Sequence, residues 1–189
     1  MLAIDPKQIT KFDRTQEELE LFWLFCILVA GKNADWASVK ITQLLSMKPP
    51  GSSPLTYLSE SSNLHNMLVA NRVGQYNRIT KAIEQSSKLN LKTAKLEDLM
   101  SVFGVGPKTA RFFILHTRKN AECAVLDTHI LKWLKSVFID LDVPSSTPSG
   151  KEYEKWERLA IKAIQTHFGE MSLAEADLMI WVKMSGRLD

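Results

Sequence analysis

Lys108 lies two residues past a Gly104-Val105-Gly106 turn, and Asp127 follows it by 19 positions, in the stretch FGVGPKTARFFILHTRKNAECAVLDTHILKWL at residues 103–134. An amine and a carboxylate have a joint chemistry: the unprotonated amine attacks an electrophilic carbon. The carboxylate stabilises the positive charge that develops as a group departs, or helps take the proton from the amine. Each residue also has a plain structural reading. A lysine on a helix surface is ordinarily solvated, and Asp127, followed by Thr128 and His129, is placed to cap the start of a helix. His129 reads as a packed or supporting histidine, since no partner lies at metal-ligand spacing.

The turn before Lys108 has its own logic. Glycine takes positive φ without steric cost, so Gly104 and Gly106 let the chain reverse around Val105, and Pro107 suits the first turn of the next helix, where its missing N–H costs nothing. Two helices joined this way leave backbone N–H groups of a helix N-terminus pointing outward. Such an end binds phosphate through those donors and the helix dipole, without reading sequence. Lys108 and Thr109 beside it favour the phosphate reading over a mere packing turn.

The elements that must carry these residues are helical. Thr15 with Glu18 three residues on reads as a capping box, opening a helix that Gly31 ends. Asn33 or Ala34 opens a second helix to about residue 47, and KPPGSSP is a loop. Short helices are predicted near 55–60 and 61–70, then a turn at Arg72-Val73-Gly74 and a helix over 75–86. Thr93 caps a segment in which Leu96, Leu99, Met100 and Phe103 fall at i, i+3, i+4 and i+7, the pattern of one buried stripe. Helices over 107–118 and 127–138, the Pro/Ser-rich link VPSSTPSG, and helices over 151–168 and 173–185 complete the chain. No alternating strand pattern survives this reading, so the expected fold class is all-α.

Composition narrows the function classes. With 189 residues, 45% hydrophobic and 24% charged, the chain fits one domain or two small lobes sharing a core, folded throughout. Cys26 and Cys123 sit in apolar runs with no CxxC or Cys/His spacing, so neither a zinc site nor an iron–sulfur cluster can be assembled from them. The N-terminus has no apolar signal core and the run from Leu19 to Ala30 is too short to span a bilayer, so an intracellular protein with no membrane partner is expected. A net charge of +3 and a pI near 8.8 permit nucleic-acid binding without requiring it.

The combination of FGVGPKTA with AVLDTHIL resembles the helix-hairpin-helix superfamily of DNA glycosylases, whose signature is a Gly-rich hairpin, a lysine directly after it and an aspartate about one helix later. LFWLFCILVAGKNADWASVKI looks like the first barrel helix and following turn of endonuclease III-type enzymes, and RVGQYNRITKAI like their second DNA-penetrating turn. ADLMIWVKMSGRLD is similar to the end of small archaeal-type 8-oxoguanine glycosylases. About residues 19 to 189 can be laid along the family.

The resemblance implies two helical lobes with the active-site groove between them: residues 19–138 as a six-helix barrel-type lobe holding the hairpin at about 96–118, and 1–18 with 139–189 as the second. It implies duplex DNA with a damaged or modified base as the partner, a monomer, base flipping, and cleavage of the base–sugar bond. Flipping is physically required, since the reacting atoms are inaccessible inside the stack. Lys108 would attack C1′ and form a Schiff base that can go on to break the strand, Arg111 would help lower the pKa of its amine, and Asp127 would stabilise the cationic sugar. Gly104, Val105, Gly106 and Thr109 would hold the DNA backbone, with a monovalent cation able to sit at the hairpin carbonyls. Lys32 and Asn33 would enter the gap left by the flipped base, while Val73, Gly74, Gln75 and Tyr76 wedge the opposite strand.

For the base pocket the residues themselves leave alternatives. Phe22, Trp23 and Phe25 at helical spacing are core by default. Asp177, on the apolar side of the last helix with Leu173, Ile180, Trp181 and Met184, needs a partner there, either a structural donor or a base edge. No cysteines follow the last helices, so the family's iron–sulfur cluster is not expected and no cofactor is. The final residue is Asp189, where the small 8-oxoguanine enzymes carry a lysine implicated in base recognition. KFDRTQEELELFWLFCILVAGKNA and VPSSTPSGKEYEKWE also resemble glycosylase-like proteins encoded beside thymine-hypermodification genes of bacterial viruses. Three readings therefore stand: a glycosylase with lyase activity, a transferase that adds an amine or amino acid to an activated 5-hydroxymethyluracil in DNA, and a non-catalytic DNA-binding module using only the hairpin.

Overall fold

Helix-start signals become real caps in the computed structural model, which describes residues 3–186. At α1 (Gln16–Leu28), Thr15 Oγ1 accepts from the Glu18 amide at 3.3 Å while Glu18 Oε2 accepts from the Thr15 amide at 2.7 Å, a reciprocal capping box. At α2 (Ala34–Leu44), Asn33 Oδ1 accepts from the amides of Asp35 and Trp36. The KPPGSSP loop then delivers Pro54 to the first turn of α3 (Pro54–Ser59), and buried Glu20 of α1 anchors that loop by accepting from Ser53 Oγ and the Leu55 amide. Next come α4 (Leu64–Ala70), α5 (Tyr76–Ser86), α6 (Leu96–Met100), α7 (Pro107–Thr117), α8 (Thr128–Val137), α9 (Gly150–Phe168) and α10 (Leu173–Ser185). Every regular element among the described residues is a helix, so the expected all-α class holds.

Packing divides the chain into two compact units, Met1–Phe113 and Ile114–Asp189, with the division falling inside α7. The expected lobes at 19–138 and the two chain ends follow family architecture, whereas these units follow packing density. In the first unit α1 packs against α2, α3 and α5, and α5 also receives α3 and α4. Residues Phe22 to Leu28 of α1 are all buried, because a helix apolar around its whole circumference is stable only when enclosed. Phe113 meets the Trp23 ring edge-on at 5.0 Å, and Trp23 Nε1 donates to Ser86 Oγ at 2.7 Å, which satisfies the indole inside the core. In the second unit α8, α9 and α10 pack pairwise around Trp133, Leu134, Tyr153, Trp156, Ile164 and Ile180.

One predicted face is corrected. Helix α6 stops at Met100, so Phe103 at i+7 falls out of helical phase, and Met100 and Phe103 stand 39% and 49% exposed while Leu99 and Val102 are buried. Thr93 does not cap α6; Asp98 instead accepts from the Lys95 amide.

Candidate nucleic-acid interface and catalytic residues

The hairpin, the second of the two expected DNA-facing turns and the end of α1 meet in the first unit at Arg78, a residue the sequence pattern does not single out. From the third residue of α5 its guanidinium donates to the Ile27 carbonyl at 2.9 Å, to the Gly104 carbonyl at 3.4 Å and to Gln75 Oε1. Ile27 lies in the last turn of α1, the helix that leads toward the Lys32–Asn33 turn, Gly104 is the hairpin, and Gln75 is the second turn. Partial burial lowers the Arg78 pKa from its ordinary value by desolvation, and the three oxygen acceptors suit the planar fork of donors that arginine carries. The first two turns also approach one another directly: a Cβ on Gly74 would lie 3.8 Å from Lys32 Nζ. Lys32 and Asn33 are both exposed, and Lys32 Nζ sits over the Trp36 ring at 5.4 Å.

The second turn is held in uncommon backbone geometry. Arg72 and Gln75 take φ of 53° and 47°, positions that cost a non-glycine residue on the order of 1 kcal/mol each. Val73 between them is buried, so its side chain anchors the turn in the core and is not available as a wedge; the residues left at the surface are Gln75 and Tyr76. With His65, Asn77 and Arg78 these two line an open cavity of about 650 Å³, in which the Tyr76 and His65 rings meet edge to face at 5.9 Å.

At the hairpin only Gly104 is in the left-handed region, with φ of 74°; Gly106 is not, so one glycine makes the reversal where two were expected. A Cβ on Gly104 would lie 2.5 Å from Arg78 Cγ, whereas one on Gly106 meets nothing within 4 Å. Gly104→Ala is therefore expected to lower unfolding stability by about 1–3 kcal/mol, from left-handed strain and displacement of Arg78, read from the urea midpoint. Gly106→Ala is expected to change stability by less than about 1 kcal/mol while weakening duplex binding, because its methyl group would occupy the open side where phosphate approaches. Ala110 is the first residue of α7 to close the helical ladder, its amide reaching Gly106 O at 3.1 Å. The amides of Lys108 and Thr109 lie before that point, at the helix N-terminus. Thr109 and Val105 have buried side chains, so each would meet DNA through its backbone. Val102 O accepts from the Val105 amide at 3.0 Å and keeps a second lone pair, so a neutral oxygen suited to a monovalent cation is present.

Lys108 is half-buried at the second position of α7 and has no hydrogen bond or ion pair with any described residue. Arg111, one turn on, is buried, and its Nη1 contacts the Pro107 carbonyl at 3.5 Å. In the second unit Asp127 is the N-cap of α8, with Oδ1 accepting from the amides of His129 at 2.9 Å and Ile130 at 2.8 Å. The cap reading of Asp127 is thus correct, and it leaves the carboxylate half-buried rather than enclosed. His129 stacks edge to face with Trp181 at 6.3 Å, its Nδ1 buried without a hydrogen-bond partner.

The tentative pocket residues separate. Phe22 and Trp23 are fully enclosed, Phe22 among Phe25, Phe112 and Phe113 with Arg14 over its ring, so both belong to the core. Asp177 is buried on α10 and its Oδ2 lies 3.3 Å from His116 Nε2. The partner a buried carboxylate requires is therefore supplied by the protein, from a histidine 61 positions away. Trp181, one turn beyond Asp177, is half-buried. Arg187, Leu188 and Asp189 lie outside the described residues.

Among the described residues no group of three or more His, Cys, Asp or Glu side chains is placed to hold a metal ion, and no helix is long and apolar enough to cross a membrane. No protein-family model matches the sequence. Solved structures do match. The Methanocaldococcus jannaschii 8-oxoguanine glycosylase/lyase, in complex with a 15mer DNA containing 8-oxoguanine, superposes with a TM-score of 0.69 at 21% identity over 95% of this chain and 88% of that one. The 8-oxoguanine DNA glycosylase of Thermotoga maritima gives 0.66 at 24% identity, covering 94% and 84%. The Clostridium acetobutylicum 8-oxoguanine glycosylase/lyase gives 0.61 at 18% identity, covering 84% of this chain and 58% of that longer one. With its all-helical course and its glycine hairpin before Lys108, this chain has the fold of the helix-hairpin-helix 8-oxoguanine DNA glycosylase/lyases.

Proposed function

We propose that this chain is a DNA glycosylase with lyase activity, which extrudes a damaged or modified base from duplex DNA and excises it, using Lys108 as nucleophile and Asp127 as the catalytic anion. The observation that carries this reading is that Arg78 ties the hairpin to the second surface turn, which the Lys32 side chain approaches at Gly74, in a fold shared with glycosylases. A phosphate-binding module would need the hairpin alone. Here Lys32, Asn33, Gln75 and Tyr76 are the polar and aromatic groups that would fill the space left by an extruded nucleotide and hold its unpaired partner.

In the proposed reaction the neutral Lys108 amine forms a bond to C1′ as the bond from C1′ to the base nitrogen breaks, and the electron pair of that bond leaves with the base. Asp127 faces the positive charge that builds on the sugar, an electrostatic arrangement glycosidases also use. Ring opening then gives the protonated Schiff base, from which loss of a proton at C2′ expels the 3′ phosphate and breaks the strand. An ammonium has no electron pair to give, so Lys108 must lose its proton first, and Arg111 one turn away is the cation that would assist. Trp181, half-buried on α10, is the proposed base-facing residue, with Asp177 one turn before it held by His116.

The test is incubation with duplexes carrying 8-oxoguanine, thymine glycol, uracil or 5-hydroxymethyluracil, with and without borohydride. Free base and a covalent protein–DNA adduct are expected from at least one. Duplex binding without base release from any of them would sink the glycosylase reading, and a chemically altered base still attached to its sugar would identify a base-modifying transferase.

A further inference from the structure

The segment that delivers Asp127 to the start of α8, residues 121–127, belongs to no helix or strand, and Ala124, Val125 and Leu126 are buried. Buried backbone groups outside a sheet need other partners, and α9 supplies them. Tyr153 Oη accepts from the Leu126 amide at 3.1 Å and donates to the Ala124 carbonyl at 3.0 Å. Glu157, one turn further along the same face of α9, accepts from the Ala124 amide at 3.1 Å. From the linker before α9, Thr147 Oγ1 donates to the Leu126 carbonyl at 2.8 Å. Leu126, the residue preceding Asp127, is thus held at both its N–H and its C=O. The Asp127 amide is held as well, by the Val125 carbonyl at 2.8 Å.

A phenol and a carboxylate facing the apolar side of a helix are costly unless each polar atom is used. Packing alone would be met by apolar side chains of the same size, and catalytic groups require support within a fraction of an ångström. We propose that Tyr153, Glu157 and Thr147 are positioning residues for Asp127: a bracket on α9 and its linker that holds the irregular segment before α8 and fixes where the carboxylate sits. The inference rests on the reading of Asp127 as the catalytic anion, and it assigns a function to the stretch VPSSTPSGKEYEKWE.

The experiment combines single-turnover base release with amide hydrogen exchange. Tyr153→Phe is expected to slow base release about 10- to 100-fold, the scale of a small misplacement of a reacting group, with duplex affinity unchanged. In an Asp127→Asn background the same change is expected to add no further loss. The amides of His129 and Ile130, which report the Asp127 cap, are expected to exchange faster in Tyr153→Phe. Should that variant not fold, Thr147→Val, which removes one hydroxyl from an exposed residue, is expected to give a smaller loss with the same dependence on Asp127. Losses that multiply in full across the double variant, or unchanged exchange at His129 and Ile130, would overturn the bracket. Absence of base release by the unaltered protein would instead overturn the proposed function, and the exchange data, which need no substrate, would still decide whether α9 positions Asp127.

Discussion

Replacing Lys108 by Gln is expected to abolish the borohydride-trapped adduct and to reduce base release on the order of 10⁴-fold or more, the scale of removing a nucleophile that acts within a catalytic unit. An amide nitrogen has its electron pair delocalised into the carbonyl and cannot form an imine, so no reducible intermediate can arise at this position. The fold has little reason to respond. Lys108 is half-buried, makes no hydrogen bond or ion pair with a described residue, and lies in a helix whose propensity Gln matches closely. An unfolding midpoint within about 0.5 kcal/mol of the parent is expected, and duplex binding should weaken only by one lost charge, most visibly at low salt. Persistence of a borohydride adduct in Lys108→Gln would reassign the nucleophile.

Asp127→Asn separates charge from shape at the other position of the proposed catalytic pair. Asparagine caps helices as well as aspartate, so its side-chain oxygen can still accept from the amides of His129 and Ile130 as Asp127 Oδ1 does. What disappears is the negative charge. A fall in base release of about 10²–10⁴-fold with near-unchanged duplex affinity is expected, since the lost interaction grows as positive charge develops on the sugar. Asp127→Ala removes charge and cap together and is expected to add a stability loss of about 1 kcal/mol. The pair of variants measured by urea unfolding and by single-turnover release isolates catalysis from capping. Equal activity of the parent and Asp127→Asn would leave Asp127 a cap and nothing more.

The Asp177–His116 contact ties the end of α7 to α10 within the second unit. Both groups are buried, and replacing His116 would take from the Asp177 carboxylate the partner that burial requires. That pairing makes Asp177 a fixed, oriented group on α10 rather than a mobile surface acid, and it places His116 among the residues that substrate-specificity variants must leave intact.

Much of this molecule was legible before any coordinates. Helix starts at Thr15, Asn33 and Asp127 could be read because a cap is a contact between residues two or three apart. The reversal at Gly104 could be read because the conformational freedom of glycine belongs to the residue itself. Lys108 and Asp127 were nominated by type and spacing, and their nomination also depends on what each residue can do chemically in isolation.

Only tertiary structure decided the rest, because those features join residues far apart in the chain through geometry that no local pattern encodes. Arg78 looks like one more helix-surface arginine until Ile27, Gln75 and Gly104 are seen around it. Phe103 continues a helical stripe on paper, yet α6 ends three residues earlier and turns it toward solvent. Val73 sits in the midst of a surface turn and is buried, and Phe22 and Trp23 are enclosed rather than lining a pocket. His116 satisfies Asp177 across 61 positions, and Tyr153 reaches back 27 to hold the residue beside Asp127. Local contacts form from the order of residues alone, but which polar group meets which across the core is settled only when the helices pack, since burial is what makes each unpaired donor and acceptor costly.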